Sequence, residues 1–412
     1  MAVKLTWFAA LLSSAALLLA APPALAKLAP TARAAEPTLP TRLARALAVP
    51  HVNHSRSAAL AVDLTTGTVV FARNRALSLA PASTEKLVLS YAVLATLGPA
   101  YRIETRVLGE GVLEGSTWQG DLVLKGHGDP ALSSAGLRRL AAQVRAVGIR
   151  RVTGSIIGDE SYFDARRTGP GWKASFYIEE SPPLSALTVD RARYRGAVSR
   201  EPALAAAAAF RSILGSAGVA VAGAAAVGSH PNSDVLVATT LSPPLLNLLK
   251  LVNRESDNFT AEILLKHLGA VQSGRGTTAA GAAVVRQVLA AAGIPLGGVR
   301  VDDGSGLSLR DRLTADALVT ILVAAWDDPL LRGSFLASLA VAGENGTLEH
   351  RLRKAPVRGQ VFAKTGTTSL ASALAGYVTG RYAFAVLQNG PPLSTWWCRQ
   401  AQDRFVTVLA GE

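Results

Sequence analysis

The chain has 412 residues, 49% of them hydrophobic and 17% charged, and a formal net charge of +13. This is a globular composition with core-forming material for two or more domains, or for one domain that carries a large insertion. The basic balance favours anionic surroundings. Because the basic residues are dispersed, with no zinc-finger spacing, RNP-type motif or long Lys/Arg block, we expect no nucleic-acid partner.

The N-terminus predicts export. Lys4 precedes an apolar run over 5–21, and a small-x-small pattern follows that ends at Ala26. We therefore predict a signal peptide over 1–26, cleaved near Ala26, and a periplasmic or extracellular, wall-associated protein. A second cleavage site at 32–34 and an uncleaved anchor are the alternatives, although the run is short for a membrane span.

The predicted elements form three blocks after a linker over 27–40. The first block contains a short helix, a hairpin and a longer helix, over 41–50, 57–64 with 68–73, and 83–97. The second alternates strands (101–108, 121–125, 156–159 and 219–227) with helices (136–147 and 201–217). The third contains helices over 243–252, 258–268, 277–292, 313–325 and 329–339, strands over 361–364, 371–378 and 382–387, and a last helix over 393–409. Strands at both ends with helices between them predict an α+β fold whose sheet joins distant parts of the chain.

Metal or thiol chemistry has little support in the sequence. Cys398 is the only cysteine, so no intramolecular disulfide can form, and we expect it to be buried beside two tryptophans. His51 and His54 are three residues apart, but short motif matches of this kind are prone to false positives. We predict no metal and no cofactor.

Ser83 and Lys86 form an S-x-x-K element at the start of the 83–97 helix. Residues three apart share one face of a helix, so the two side chains can meet. A serine hydroxyl needs a base to become a nucleophile, and a lysine serves as that base only when its pKa is lowered. Taken alone, the element is better explained as a capped helix start with a solvated lysine, so the rest of the chain must decide.

Two further elements follow in the chain. Ser256-Asp257-Asn258 lies between two predicted helices and alone reads as a helix cap, and Lys364-Thr365-Gly366 alone reads as a strand that ends in a glycine turn. The order S-x-x-K, S-D-N, K-T-G is much more specific than any one of them, because this set is typical of penicillin-binding proteins and class A β-lactamases.

With these motifs the chain resembles the low-molecular-mass class C penicillin-binding proteins, the D-alanyl-D-alanine carboxypeptidase/endopeptidase family. The resemblance extends to segments 126–130, 158–161, 249–262, 303–308, 343–348 and 375–378. It implies a transpeptidase-like α+β domain over 41–99 and 240–412, with an antiparallel sheet covered by helices and an all-helical lobe. A smaller α/β domain would be inserted over 100–239, in the long interval between Ser83 and Ser256. No E-x-x-L-N segment, which would supply the deacylating glutamate of a β-lactamase, follows Ser256 in the expected position, and this weakens the β-lactamase alternative.

The resemblance also implies roles for the motif residues. Ser83 would attack the carbonyl between two D-alanines, and Lys86, kept neutral by Lys364 and by partial burial, would accept its proton. Ser256 would relay that proton to the leaving amine, and Asn258 would hold the substrate amide and orient Lys86.

The K-T-G element would bind the end of the substrate. Lys364 and the hydroxyls of Thr365 and Thr367 would hold the terminal carboxylate, and Gly366 would allow a close backbone approach. The backbone N–H groups of Ser83 and Thr367 would form the oxyanion hole.

The sequence departs from the family at two places. There is little room after 190–191 for the second inserted module of fuller members, and 173–177 replaces the usual aromatic-acidic cluster, which leaves the preferred stem-peptide side chain open.

The leading hypothesis is an exported serine D,D-peptidase that acts on peptidoglycan stem peptides and is covalently inhibited by β-lactams. A β-lactamase or esterase of the same fold and a catalytically silent wall-binding scaffold are the alternatives. The sequence leaves open the balance of carboxypeptidase and endopeptidase action, the oligomeric state, and whether the basic surface docks on wall polymers or on membrane.

Overall fold

The computed structural model describes residues 37–229, 235–378 and 380–412. The α-helices in these residues are α1 (Leu39–Ala46), α2 (Glu85–Leu97), α3 (Ser134–Ala146), α4 (Phe176–Glu179), α5 (Pro202–Ser216), α6 (Leu245–Asn253), α7 (Asn258–Ser273), α8 (Thr278–Ala291), α9 (Ala315–Asp327), α10 (Pro329–Ser338) and α11 (Thr395–Ala410). The signal peptide and most of the linker lie outside the described residues, and α1 includes the last two residues of the predicted linker.

The strands in the same residues are β1 (Ser57–Asp63), β2 (Val69–Arg73), β3 (Glu104–Glu114), β4 (Thr117–Gly126), β5 (Arg151–Val152), β6 (Ile156–Asp159), β7 (Arg193–Tyr194), β8 (Ala197–Val198), β9 (Ala220–Val221), β10 (Ala225–Val227), β11 (Val235–Leu241), β12 (Ala340–Val341), β13 (Val361–Thr367), β14 (Ala371–Val378) and β15 (Tyr382–Asn389). Strands β7 and β8 pair only with each other.

The first sheet joins the two ends of the chain. Its order is β12-β13-β14-β15-β1-β2, and all neighbours are antiparallel. Every residue of β14 and β15 is buried, as expected for strands that are covered on both faces. Helices α1 and α11 pack on one face, and α2 and α9 pack on the other with the helical lobe around them. The predicted α+β architecture of an antiparallel sheet, its covering helices and a helical lobe is confirmed.

The second sheet lies within residues 104–241. Its central order is β10-β6-β4-β3-β11, with β5 paired to β4 and β9, and it mixes parallel and antiparallel neighbours. Helices α3 and α5 cover one face through a separate apolar core. This is the α/β architecture that the resemblance implied for the inserted region.

The two ends of this region meet. Ser242 N donates to the Ile103 carbonyl at 2.8 Å, and Ile103 N donates to Ser242 Oγ at 2.9 Å. An apolar cluster nevertheless connects the region to the helical lobe, because Phe163 and Leu184 pack with Phe259 and Ile263 of α7.

Several boundaries differ from the predicted ones. The sequence reading gave no strand at Val235–Leu241, although β11 forms the edge of the second sheet there. The single strand predicted over 219–227 is two short strands, broken at 222–224. Ser83 precedes α2, on a 3₁₀ turn over Ala82–Thr84.

Two smaller expectations concern Cys398 and membrane association. The Cys398 side chain is fully buried under the first sheet, as predicted. Within the described ranges, none of the helices has the length and apolar character needed to cross a bilayer.

Candidate active site

The turn over Ala82–Thr84 and the first turn of α2 bring Ser83 and Lys86 together. Lys86 Nζ donates to Ser83 Oγ at 3.0 Å. The helix is apolar around its circumference and buried from Glu85 to Leu94, so Lys86 is fully enclosed while Ser83 is partly exposed at the cleft. Ala82 has φ 47°, a left-handed conformation that a non-glycine residue rarely adopts and that is typical of functional turns.

Lys86 has two further hydrogen-bond partners, both from distant segments. Its Nζ lies 2.7 Å from Asn258 Oδ1 and 2.5 Å from the Ser305 carbonyl. A buried ammonium needs such acceptors because each unpaired donor would cost desolvation free energy. These contacts hold Nζ against the hydroxyl from which it would take a proton.

The start of α7 positions Ser256 and Asn258. The Asp257 carboxylate caps the helix by accepting from Thr260 N at 2.6 Å, so the tripeptide does form a helix cap. Ser256 has φ 60°, a second strained backbone position next to the proposed chemistry. Its Oγ accepts from Lys364 Nζ at 2.9 Å, which connects the second and third motifs.

Strand β13 presents the third motif at an open edge. Strand β12 covers only Phe362 and Ala363 on that side, so the edge beyond them faces the cleft. A Cβ on Gly366 would lie 3.1 Å from Ser83 N, so a glycine is needed for β13 to lie this close to the turn over Ala82–Thr84. Thr365 Oγ1 is 2.9 Å from Thr347 Oγ1 in the cleft.

Burial lowers the pKa of both lysines. The pKa of Lys86 falls to about 8, against the opposing effect of Asp303 and Glu262. The pKa of Lys364 falls well below its usual value, first through burial and then through the charge of Lys86. The expected cause therefore needs correction: complete burial, rather than partial burial beside Lys364, is the main cause of the lowered pKa of Lys86.

Buried carboxyl groups surround the Lys86 side of the site. Burial raises the pKa of Glu262 to about 8 and raises that of Glu85 well above its usual value, and Asp303 adds to both shifts. Glu262 Oε1 accepts from Gly304 N and Ser305 N at 3.0 and 2.9 Å. This carboxylate thus fixes the loop whose carbonyl binds Lys86.

Asp303 organises the same loop. It accepts from Gly306 N at 2.7 Å and from Ser308 N at 2.8 Å, and Trp172 Nε1 donates to it at 2.8 Å. Segment 303–308 was part of the resemblance but had no predicted role. Sequence reasoning also missed Thr347 and Glu180, whose backbone carbonyl accepts from Asn258 Nδ2 at 3.1 Å.

These groups line one open cleft of about 890 Å³. Ser83, Ser256, Asn258, Thr365 and Thr367 face it directly, while Lys86, Lys364 and Gly366 lie behind them. All eight residues predicted for the site are therefore in one place. Lys173 and Phe176, from the segment that departs from the family pattern, line the cleft as well.

No metal centre is evident in the part of the chain that the structure describes, because no group of three or more His, Cys, Asp or Glu side chains is placed to hold an ion. The prediction of a metal-free, cofactor-free enzyme stays a prediction.

The fold and the site define a serine hydrolase of the penicillin-binding class. A model of the D-Ala-D-Ala carboxypeptidase 3 (S13) family matches residues 39–201 and 195–411, and the chain belongs to this family. The carboxypeptidase predicted from the motifs is confirmed at the level of family and enzyme class.

Two relatives support the family assignment, and a solved structure supports the fold. The chain is 31% identical to a D-alanyl-D-alanine carboxypeptidase of Actinomadura sp., over 83% of this chain and 79% of that one. It is 33% identical to a carboxypeptidase of Mycobacterium tuberculosis, over 84% and 78%. In structure it is similar to penicillin binding protein 4 from Haemophilus influenzae, with a TM-score of 0.79, 23% identity, and coverage of 90% and 98%. This last likeness shows the fold.

Proposed function

We propose that this enzyme cleaves the terminal D-Ala-D-Ala bond of peptidoglycan stem peptides through an acyl-enzyme on Ser83. The observation that carries the proposal is the 3.0 Å contact between Ser83 Oγ and the Nζ of a fully buried lysine whose pKa is about 8. A serine beside a base that is partly neutral near physiological pH is an activated nucleophile.

In the acylation step Ser83 Oγ attacks the carbonyl carbon and Lys86 Nζ accepts the hydroxyl proton. The C–N bond then breaks, and a proton passes through Ser256 to the leaving amine, so that D-alanine departs and an ester remains on Ser83. In the second step water attacks the ester, giving up its proton as Ser83 recovers its own. Asn258 holds Lys86 in place through the 2.7 Å contact.

The open edge of β13 supports the binding mode. An extended stem peptide can pair with this edge as an added strand. Its scissile carbonyl would then lie at the Thr367 and Ser83 N–H groups, and its terminal carboxylate at Lys364 and Thr365. That carboxylate would stabilise the charged form of Lys364, whose charge would in turn favour the neutral form of Lys86.

The test is covalent labelling with a fluorescent penicillin. Wild-type protein should be labelled, Ser83→Ala should not, and Ser212→Ala, at an exposed serine of α5, should behave as wild type. Rapid turnover of a chromogenic cephalosporin would support the β-lactamase alternative. Absence of any label on wild-type protein would support the silent scaffold instead. The Haemophilus protein, which has the same fold, has been crystallised as a complex with a β-lactam.

A second substrate class, the cross-link between two stem peptides, is favoured by the shape of the cleft. The cleft extends past the K-T-G strand to Trp396 and Arg399, which gives it room for more than a terminal D-alanine. A leaving D-alanine ends at its carboxylate, whereas the leaving amine of a cross-link continues into a second peptide. Trp396 is 59% exposed and stacks edge-on against Trp397, so it offers this peptide a preformed apolar surface.

The corresponding prediction compares two defined substrates. Trp396→Ala should raise KM for a cross-linked muropeptide dimer by about tenfold, roughly the value of one lost aromatic contact, and leave a monomeric pentapeptide unaffected. Leu330→Ala, an exposed apolar residue of α10 that does not line the cleft, is the control. Equal effects on both substrates would contradict a role on the leaving side.

Domain boundaries and export belong to the same proposal. We place the inserted domain near 100–239 and the peptidase domain over 41–99 and 240–412, a division supported by the meeting of Ile103 and Ser242. Since stem peptides of the wall are exposed outside the cytoplasmic membrane, the proposed substrate also supports export.

A further inference from the structure

A second large cavity lies away from the active site, within the inserted region. It has a volume of about 850 Å³ and is open to solvent. Its walls come from the start of α3, the segment around β7, helix α5 and residues 222–225. Nothing in the proposed peptidase reaction uses this groove.

Arginines from three of these walls face the groove. They are Arg138 of α3, Arg193 and Arg195 of the β7–β8 hairpin, and Arg211 of α5, and all four are exposed. Arg211 is partly occupied, since it donates to the carbonyls of Gly223 and Val221 at 2.8 and 3.2 Å. None of the four forms an ion pair with a carboxylate among the described residues. The groove therefore holds uncompensated positive charge.

Asp190, the acidic residue among those that line the groove, offsets only part of this charge. The Asp190 carboxylate accepts from the backbone N–H and the hydroxyl of Ser134, so it caps the start of α3. Its φ of 47° and that of Arg195, 50°, are both left-handed, and residues in such conformations cluster at ligand sites. The loop thus holds Asp190 against α3 and turns the arginines outward.

The arrangement favours phosphate over carboxylate. A guanidinium pairs bidentately with either group, but the acceptor sites of a carboxylate lie in one plane. A phosphodiester is tetrahedral, and its oxygens can accept from cations that approach from different walls. Alanines 205, 208, 209, 222, 224 and 225 line the rest of the groove and leave room for a polymer backbone. Tyr194 is covered by Arg195, whose Cζ lies 5.3 Å from the ring centroid, so the base-stacking surface that single-stranded nucleic acid requires is not open there.

We propose that this groove, lined by Arg138, Arg193, Arg195 and Arg211, binds a phosphodiester-linked anionic polymer of the cell wall. One ion pair connects the segment that carries two of these arginines to the start of α7. Arg191, between two groove residues, pairs with the helix-capping Asp257 at 2.8 Å. A polymer bound here would anchor the enzyme on the wall and leave the active-site cleft free. The groove arginines contribute part of the protein's net charge of +13, and this binding gives that charge a role.

The experiment measures binding of fluorescent poly(glycerol phosphate) by polarisation over a range of salt concentrations. The groove variant is Arg138→Ala, Arg193→Ala and Arg195→Ala combined. The matched control removes the same charge at three exposed arginines outside the groove, Arg56, Arg275 and Arg404. The groove variant should weaken binding at least about tenfold and reduce the slope of log K against log salt by about two to three, with the control close to wild type.

A set of lysine replacements at the same three groove positions separates charge from geometry. It keeps the charge and removes the guanidinium fork, so it should bind with intermediate affinity. Thermal unfolding of each variant, which does not depend on acylation, shows that the fold is retained. Equal losses in the groove and control variants would reduce the effect to net charge and overturn the proposal.

Two competing polymers complete the test. Polygalacturonate carries carboxylates in place of phosphates, and a short DNA duplex carries phosphodiesters on a different scaffold. Either polymer binding more tightly than poly(glycerol phosphate), with the same dependence on the groove arginines, would overturn the proposal. Because the readout is binding, failure of this inference is distinguishable from failure of the peptidase hypothesis, which penicillin labelling decides.

Discussion

Lys86 illustrates how much the surroundings of a residue decide. The S-x-x-K spacing is common, and a solvated lysine at that position would keep its proton at neutral pH. Here the side chain has no exposed area and its Nζ contacts Ser83 Oγ, Asn258 Oδ1 and the Ser305 carbonyl. Burial lowers the pKa of Lys86 to about 8, so that part of the lysine population is neutral near physiological pH.

The pH dependence of acylation follows from this pKa. Loss of the Lys86 proton creates the base, so kcat/KM for penicillin acylation should rise with pH, about tenfold per unit between pH 6 and 7, and level off as pH approaches 8. The rate rises rather than falls with pH because kcat/KM reports the free enzyme, in which a protonated Lys86 cannot accept the Ser83 proton. Stopped-flow acylation across this range measures it.

Replacement of the base provides the control. Lys86→Arg keeps a cation in place and cannot be deprotonated, so its acylation should be slow and nearly independent of pH. A wild-type profile that stays flat between pH 6 and 8, or one that rises only near the ordinary lysine pKa, would contradict Lys86 as the base.

At the scale of elements, the site depends on close contacts between backbone segments. Gly306 has φ 80°, and a Cβ there would lie 2.0 Å from the Ala82 carbonyl. The 303–308 loop and the turn over Ala82–Thr84 are therefore in contact through a glycine. Any side chain at this position would displace Ser305 from Lys86 or Ser83 from the cleft.

Gly306→Ala should therefore slow acylation severely and destabilise the protein by roughly 1–3 kcal/mol through left-handed strain. Gly333→Ala is the matched control, since Gly333 lies inside α10 with nothing within 4 Å of the added Cβ, and alanine should stabilise the helix by about 1 kcal/mol. Denaturant unfolding and penicillin acylation measure the two effects. If the Gly306→Ala variant were acylated at the wild-type rate, the contact between Gly306 and Ala82 would not position the site.

The same contacts show what sequence reasoning could reach. Motifs such as Ser256-Asp257-Asn258 carry their chemistry in local side chains, so their order alone predicted a site, and the structure brings their side chains together. The Ser305 carbonyl acts through a backbone group, which leaves no residue signature. The edge strand Val235–Leu241 did carry a signal, a run rich in Val and Thr, and the sequence prediction missed it. The burial that lowers the pKa of Lys86 arises from helices far apart in the chain, and local spacing does not report it.

At the scale of the molecule, the inserted region is less separable than its topology implies. Its ends meet at Ile103 and Ser242, as expected for a module placed into a loop. Yet the buried Lys266 of α7 pairs with Asp164 of the inserted region at 2.5 Å, and Trp172 holds Asp303. Removing these partners would leave a buried charge unpaired in the helical lobe, which is costly.

We therefore expect the inserted region and the peptidase region to unfold in one cooperative transition. Phe163 tests this because it belongs to the inserted region but is buried against α7. Phe163→Ala should lower the free energy of unfolding by roughly 3–5 kcal/mol. The thermal unfolding midpoint measured by circular dichroism and the temperature at which penicillin labelling is lost should fall by the same amount. Val112→Ala, an exposed site on β3, should change neither by more than about 0.5 kcal/mol. If Phe163→Ala unfolded in two steps and kept its labelling through the first, the inserted region would be an independent folding unit and its contacts with α7 would not support the active site.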